Sequence, residues 1–257
     1  MNGMLVKCLV MLGLASLVGC AEEQTNTFKL VGELPPDFAY AAVAHYRPEP
    51  GTKCAIADWG KTMHHFNRHW RNEYKPTSII EIRKVIEGCE MVVRSIKIRI
   101  LAKYGKSFQD MAEDNAGIGI HTVLKEGGRR KMNMPDGDAF YGVCEWLFRT
   151  YGPDRKLIKG LYCKKDNERG EKSVGKPSGV YTVDQLPGST IRMNIRVADK
   201  ERPSIRNTWI EFPNGWKRCL GEGEDDVYGF CDDNPGRFSE FRMHTGEMCT
   251  IYPGCRE

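Results

Sequence analysis

The sequence predicts a mostly β or α+β fold made of two small, antiparallel, sandwich-like domains stapled by disulfides, the first with one amphipathic helix. Alternation is the first observation: Ile96, Ile98 and Ile100 fall on one face of a strand and basic residues on the other. Residues 189–199 alternate in the same way. Such a period of two indicates half-buried strands of an antiparallel sheet. The second observation is cysteine spacing, because each half of the chain beyond residue 28 contains four cysteines.

A charged segment at residues 168–178 separates the two predicted domains, 28–167 and 179–257. It contains glycine and proline and a single apolar residue, Val174, which is typical of a linker. A turn glycine followed by alternating apolar residues, and later a Tyr-Gly-x-Cys sequence, occurs in both halves. The halves are either an internal duplication or a chance recurrence of short patterns, and the sequence leaves both interpretations open.

An apolar period of three and four residues interrupts the β pattern. It consists of Ile56, Trp59, Met63, Phe66, Trp70 and Tyr74. This spacing predicts an amphipathic helix near residues 55–74, ended by Pro76, with its apolar stripe facing the core. His65 and His69 would stand one turn apart on it, a spacing that lets two imidazoles share a metal. The zincin pattern is absent because Phe66 occupies the glutamate position. We therefore interpret the histidines as a surface cluster and predict no metal site.

The N-terminus has the design of an export signal. Lys7 precedes an apolar or small stretch at residues 8–19. That stretch is shorter than the roughly 20 apolar residues needed to span a bilayer, and its length is typical of a signal peptide. It ends at Leu17–Cys20 with the sequence Leu-Val-Gly-Cys, which resembles the lipobox of bacterial lipoproteins.

This resemblance implies a lipid anchor and a location. Residues 1–19 would be removed as the signal peptide, Cys20 would carry the lipid, and residues 20–27 would form a polar tether. Several acyl chains on one residue attach a protein stably, because each buried methylene contributes about 0.8 kcal/mol. Ala21 rather than Asp follows the cysteine. By the sorting rule of enterobacterial lipoproteins, this implies the outer membrane, with the protein facing the periplasm.

The remaining cysteines predict a disulfide framework. Eight of the ten cysteines are left once Cys8, in the signal peptide, and Cys20 are set aside. An even number in an exported chain predicts up to four bridges. Cys144 and Cys163 are symmetric about the turn Gly-Pro-Asp-Arg, which predicts a hairpin closed by their disulfide. The other predicted pairs are Cys231–Cys249, by analogy with that hairpin, and Cys54–Cys89 and Cys219–Cys255, each within its own half.

Composition excludes some functional classes. A formal net charge of +4 in 257 residues predicts neither nucleic-acid binding nor a membrane-coating surface. The chain has no Gly-x-Ser-x-Gly elbow and no P-loop. We therefore predict a non-enzymatic protein without a cofactor. A Ser-His-Asp site assembled from distant segments remains an open alternative.

Two charged loops are the candidate partner contacts. Residues 221–229 include Asp225 and Asp226, and the basic loop includes Arg129 and Arg130. Charged loops set association rate and orientation. Carboxylates this close can bind Ca²⁺, but their spacing is not that of an EF-hand. A solvated acidic loop is therefore the preferred interpretation. Aromatic anchors usually dominate binding energy. The candidate anchors, all of which also have a core interpretation, are Trp216, Trp59, Trp146 and Trp209.

A lipid-anchored, disulfide-rich β protein without a catalytic motif is most economically a binding protein. Its design resembles the periplasmic immunity lipoproteins that accompany type VI secretion toxins, lipase effectors especially. The residues that carry this resemblance are the lipobox, Leu17–Cys20. The resemblance implies a secreted toxin as partner and occlusion of the toxin's active-site crevice as the mechanism. An accessory subunit or inhibitor lipoprotein of an envelope machine is the alternative, and a periplasmic hydrolase is a third class.

Overall fold

The structure is a computed structural model that describes residues 25–66, 75–123, 137–167, 170 and 173–256. The described residues form sixteen strands and two 3-10 turns, Trp59–Thr62 and Val183–Gln185. In chain order the strands are β1 (Thr27–Glu33), β2 (Phe38–Pro48), β3 (Met63–Phe66), β4 (Thr77–Glu81), β5 (Arg83–Ile86), β6 (Cys89–Lys103), β7 (Met111–His121), β8 (Asp138–Tyr151), β9 (Lys156–Asp166), β10 (Ser178–Thr182), β11 (Thr190–Val197), β12 (Arg202–Pro203), β13 (Trp209–Phe212), β14 (Gly215–Arg218), β15 (Phe241–Arg242) and β16 (Met248–Cys249).

Two large sheets enclose the main core. The eight-stranded sheet has the order β16-β15-β9-β8-β11-β1-β4, with β12 also paired to β8. The six-stranded sheet has the order β10-β7-β6-β2-β3, with β5 also paired to β6. The prediction of a mostly β fold is confirmed. The sheets are mixed rather than purely antiparallel, because β11 runs parallel to both β8 and β1, and β10 runs parallel to β7.

Alternation along the strands produces the core, as predicted. Ile96, Ile98 and Ile100 of β6 are buried, and Lys97 and Arg99 between them are exposed. On β11, the other alternating stretch, Ile191, Met193 and Ile195 are the buried positions. Burying a large aliphatic side chain stabilises the fold by about 1.5–3 kcal/mol relative to leaving it exposed.

The predicted boundary at residues 168–178 does not divide the chain into two independent domains. β11, from the predicted second domain, lies between β8 and β1 of the predicted first domain. Its Ile191 and Met193 belong to the same buried cluster as Phe28 and Leu30 of β1. A linker-like composition marks a solvated connection. It carries no information on whether the chain after it returns to pair with an existing strand.

A small module, residues 198–256, is built on the far end of the β8–β9 hairpin. No strand within it is longer than four residues. Lys159 of β9 pairs with Glu201 at 2.8 Å, and Tyr252 donates a hydrogen bond to the same carboxylate, which ties the module to the hairpin. The buried residues of its separate core are Phe148, Leu157, Trp209, Phe241, Cys249 and Tyr252.

The helix predicted near residues 55–74 is not confirmed. Within its described part, Trp59–Thr62 is a single 3-10 turn and Met63–Phe66 is strand β3. β3 pairs with β2, which supplies the backbone partners that a helix would have supplied internally. Trp59 and Met63 are exposed rather than core-facing. His65 is exposed on β3 rather than on a helix. Residues 67–74, including His69, lie outside the described residues, so the interpretation of the histidines as a surface cluster remains a prediction for His69.

Four disulfides are present among the described residues. The predicted Cys54–Cys89 and Cys144–Cys163 bridges are confirmed. The predictions Cys231–Cys249 and Cys219–Cys255 are wrong, because the observed bridges are Cys219–Cys231 and Cys249–Cys255. The analogy between the halves fails because both observed bridges close short local loops, with sequence separations of 12 and 6, instead of joining opposite strands of a long hairpin.

Residues 1–24, with the predicted signal peptide and Cys20, lie outside the described part of the chain. Within that part, no helix has the length and apolar character required to cross a membrane.

Candidate protein-interaction site

The structure places the predicted contact residues in different roles. Asp225 is exposed on the module surface. Trp216 is half-buried and packs against the core of the module, with its ring centroid 5.9 Å from that of Phe148. Arg129 and Arg130 lie outside the described residues. The described contact residues therefore lie in the C-terminal module, which directs attention to its surface.

Asp226 organises the acidic loop. Its carboxylate accepts hydrogen bonds from the backbone N–H groups of Tyr228 at 2.8 Å and Glu222 at 3.1 Å. Burial opposes the charged form, but the N–H groups of Gly229, Glu222 and Tyr228 outweigh it and lower the pKa of Asp226. Hydrogen bonds to a carboxylate favour its ionised form. Asp226 therefore sets the shape of the loop.

The loop that carries these residues is closed by the Cys219–Cys231 disulfide, and we call residues 219–231 the disulfide loop. Both cysteines are buried. Closing a short loop with a disulfide restricts the unfolded chain and so favours the folded loop. The loop has only short bridges and turns in place of regular strands, so the cross-link fixes its ends.

Arg218 fixes the loop from inside. The residue is fully buried, and all five of its N–H donors have neutral oxygen acceptors. These acceptors are the Thr150 and Ser239 hydroxyls and the carbonyls of Cys219, Asp226 and Val227. Burial first, and then the positive charge of Arg155, lower the pKa of Arg218 to about 10. It therefore remains charged at neutral pH and is held by carbonyl and hydroxyl dipoles.

Arg155 joins the disulfide loop to the tip of the β8–β9 hairpin. Its Nη1 lies 2.6 Å from the Glu224 carboxylate, and its Nη2 donates to the backbone carbonyls of Gly223 and Glu224. The Arg155 side chain is mostly buried, and the backbone has a positive φ of 45°. A hydrogen-bonded, two-nitrogen contact fixes geometry as well as charge. The hairpin tip and the disulfide loop therefore form one surface.

A groove of about 350 Å³ lies between the hairpin tip and the disulfide loop. Trp209 is one of the residues that line the groove, and it is only 6% exposed. Its ring packs edge-on against those of Phe148 and Phe241, with ring centroids 5.1 and 5.0 Å apart. The residues that line the groove are Arg149, Thr150, Tyr151, Gly152, Ile205, Thr208, Trp209, Val227 and Tyr228.

Exposed apolar side chains surround this groove. Tyr151 is 66% exposed, Tyr228 65% and Val227 47%. Phe230, 41% exposed, stacks on Tyr228 with the ring centroids 6.1 Å apart and an interplanar angle of 14°. We call Tyr151, Val227, Tyr228 and Phe230 the aromatic patch. Exposed apolar groups gathered in one place mark interaction sites on soluble proteins.

The surroundings of the patch are acidic. Residues 219–233 contain six Asp or Glu residues and no Lys or Arg. Glu224 is paired with Arg155, and Asp226 is occupied by backbone N–H groups. Two acidic side chains of the loop are therefore held by structural contacts, which favours a solvated acidic loop over a Ca²⁺ site.

The described residues contain one close group of three potential metal ligands, Glu247, Cys249 and Cys255. Its two cysteines form a disulfide, so their sulfur atoms are not available as thiolate ligands. A second pocket, of about 730 Å³, contains the Asp166–Arg196 ion pair at 2.8 Å. Its large apolar lining residues are buried or half-buried, so it lacks an exposed apolar rim.

Sequence reasoning missed Tyr151, Tyr228, Phe230 and the groove. The available signal was the sequence Val-Tyr-Gly-Phe between acidic residues and a cysteine, because apolar side chains in a short, acidic, cross-linked loop have no core to enter.

Comparisons of the chain with models of protein families, with curated protein sequences and with solved structures find no match.

Proposed function

We propose that this chain is a binding protein whose protein partner docks on the aromatic patch. The observation that carries this proposal is that three exposed apolar side chains line a groove that is already shaped, and a fourth, Phe230, stacks on one of them. Anchors held in place before binding lose little conformational entropy when a partner docks, and this improves affinity. The disulfide and the buried Arg218 provide that preorganisation.

The partner class that we propose first is a secreted type VI toxin of the lipase class. The lipobox sequence Leu17–Cys20 and the resemblance to immunity lipoproteins support a lipid-anchored protein of the outer membrane that faces the periplasm. The mechanism would be occlusion, with the patch covering the rim of the toxin's active-site crevice. The acidic residues around the patch suit a partner whose crevice is bordered by basic residues.

The test uses soluble residues 21–257 with formed disulfides. The protein is immobilised and exposed to periplasmic extract and to secreted lipases from the same bacterium, and lipase activity is measured with and without the protein. Stoichiometric capture together with inhibition supports immunity. Capture of envelope-complex subunits alone would move the function to the accessory class.

The site is tested with matched variants. Tyr228→Ala/Phe230→Ala removes half of the aromatic patch, and Ile79→Ala/Val85→Ala removes two apolar side chains, 62% and 68% exposed, from β4 and β5. The proposal expects the first variant to lose capture and inhibition and the second to keep both. Equal binding by both variants would contradict the assignment of the patch.

A further inference from the structure

We infer that the groove is an anchor pocket for one aliphatic or aromatic side chain of the partner, with a lysine or arginine of the partner beside it against the acidic loop. This inference rests on the proposed function and specifies the chemistry that the patch recognises. It concerns the groove and Asp225, whereas the proposed function depends on the patch as a whole.

The interior of the groove favours an apolar occupant. Thr150 Oγ1 accepts a hydrogen bond from Arg218 Nε at 2.8 Å, and Thr208 Oγ1 donates to the Ile205 carbonyl at 2.8 Å. Both threonine hydroxyls that line the groove are therefore engaged in structural bonds. Sites for polar small molecules direct a few well-placed polar groups at the ligand. The apolar surfaces left for contact are those of Ile205, Trp209 and Val227. Arg149, on the hairpin side, is the one charged residue among those that line the groove.

The groove is small for a ligand pocket, and its two walls are held together. Its volume of about 350 Å³ is near the lower end of the range of about 300–1,000 Å³ for ligand pockets. One wall is the hairpin tip and the other is the disulfide loop, and Arg155 bonds the two walls together. A large side chain that fills a preformed, water-excluding pocket is the usual form of a binding hot spot.

The rim adds polar and charged contacts. Tyr151 and Tyr228 are exposed on the groove, and phenol rings combine an apolar body with a hydroxyl that remains in contact with water. Asp225 lies two residues before Val227, and its side chain has no hydrogen bond or ion pair within the described residues. The Glu222 side chain likewise has no hydrogen bond or ion pair within the described residues. Two carboxylates on the disulfide loop, neither in an ion pair within the described residues, favour a positive charge on the part of the partner that faces this loop. Arg149 lies on the opposite, hairpin side of the groove.

The first experiment is an NMR titration of ¹⁵N-labelled residues 21–257. Three dipeptide amides serve as probes: acetyl-Phe-Lys-amide, acetyl-Phe-Glu-amide and acetyl-Gly-Lys-amide. We expect the Phe-Lys probe to shift the signals of residues 149–152, 205–209 and 227–228, including the Trp209 indole. The Phe-Glu probe should bind several-fold more weakly, and the Gly-Lys probe should produce no shifts there. Shifts elsewhere, or equal shifts with Gly-Lys, would overturn the inference.

Two variants separate the pocket from the charge. Val227→Trp fills the groove and should abolish the Phe-dependent shifts, and Val180→Trp, at a similarly exposed position on β10, is its control. Asp225→Lys should reverse the preference between the Phe-Lys and Phe-Glu probes. Glu90→Lys makes the same charge change at an exposed position on β6 and should leave the preference unchanged. The two substitutions act independently, so misfolding of one variant leaves the other as a test.

The captured partner distinguishes this inference from the proposed function. Val227→Trp should weaken partner binding about tenfold or more, which corresponds to about 1.4 kcal/mol. If the partner binds Val227→Trp and Asp225→Lys normally but fails to bind Tyr228→Ala/Phe230→Ala, the anchor-pocket inference is wrong and the proposed function stands. If all of these variants bind normally, both are wrong.

Discussion

The two-sheet sandwich and the C-terminal module, residues 198–256, hold their shapes by different means. Among the described residues, the sandwich core has 31 buried members, whereas the core beneath the module has six, two of which, Phe148 and Leu157, come from the β8–β9 hairpin. The module contains two of the four disulfides, which close loops with sequence separations of 12 and 6, and it also contains the buried Arg218. Small structures that cannot bury enough apolar surface usually depend on cross-links.

This difference explains where the candidate site lies. Side chains on a strand are directed to one face or the other by the backbone period, whereas a loop can turn several apolar residues outward together. Such a loop presents a defined binding surface only if other contacts hold its conformation. In this protein the fixing elements are the Cys219–Cys231 disulfide, Arg218 and Arg155. The sandwich acts as the rigid support.

The largest effect is expected for Arg218→Met. The substitution leaves the carbonyls of Cys219, Asp226 and Val227 without their donor, and we expect a loss of about 3–5 kcal/mol in the stability of the module. Hydrogen exchange of residues 219–231 and denaturant unfolding measure it. Arg237→Met, at an exposed position nearby, is the control and should be close to neutral. Equal protection of the loop in both variants would contradict the role of Arg218.

A core substitution in the sandwich should act differently. Ile98→Ala removes a buried side chain from the centre of β6 and should lower the free energy of unfolding of the sandwich by about 2–5 kcal/mol. Because the module is built on β8 and β9, its structure should be lost in the same transition. By contrast, Arg218→Met should unfold the module while the sandwich remains folded. A module that remains folded after the sandwich of Ile98→Ala has unfolded would show that the module does not depend on β8 and β9.

Removing the Cys219–Cys231 bridge should cost about 3 kcal/mol of module stability, because the bridge restricts the unfolded chain over a sequence separation of 12. The Cys219→Ser/Cys231→Ser variant should keep the sandwich transition and lose binding of the Phe-Lys probe. Thermal unfolding and the NMR titration measure these two results. If the probe binds this variant with unchanged affinity, preorganisation by the disulfide is not what shapes the groove.

The smallest effect concerns pH. The lowered pKa of Asp226 means that the folded loop favours the carboxylate. Its contribution is complete above the ordinary Asp pKa of about 3.9 and is lost as the pH falls through the lowered pKa. Module stability should therefore fall with acid more steeply in the wild type than in Asp226→Asn. Asp233→Asn is the exposed control and should follow the wild type.

The predictions from the sequence succeeded where the information is local. The alternation at Ile96, Ile98 and Ile100 reports the direction of neighbouring side chains along one strand, and those residues are buried as expected. Cys144–Cys163 follows from symmetry about one turn, and the hairpin β8–β9 confirms it. The three-and-four spacing near Trp59 was misleading, because the same residues are compatible with a 3-10 turn followed by strand β3.

Sequence alone therefore determined the β character of the chain, the faces of its best strands, the number of available cysteines and the Cys144–Cys163 pair. Tertiary structure decided that β11 enters the sheet between β8 and β1 and which cysteines of the module pair. It also decided that Tyr151 of the hairpin and Tyr228 of the disulfide loop line the same groove. The physical reason is that strand faces are set by backbone geometry over a few residues. Sheet order and loop contacts depend instead on which distant groups can bury or bond one another.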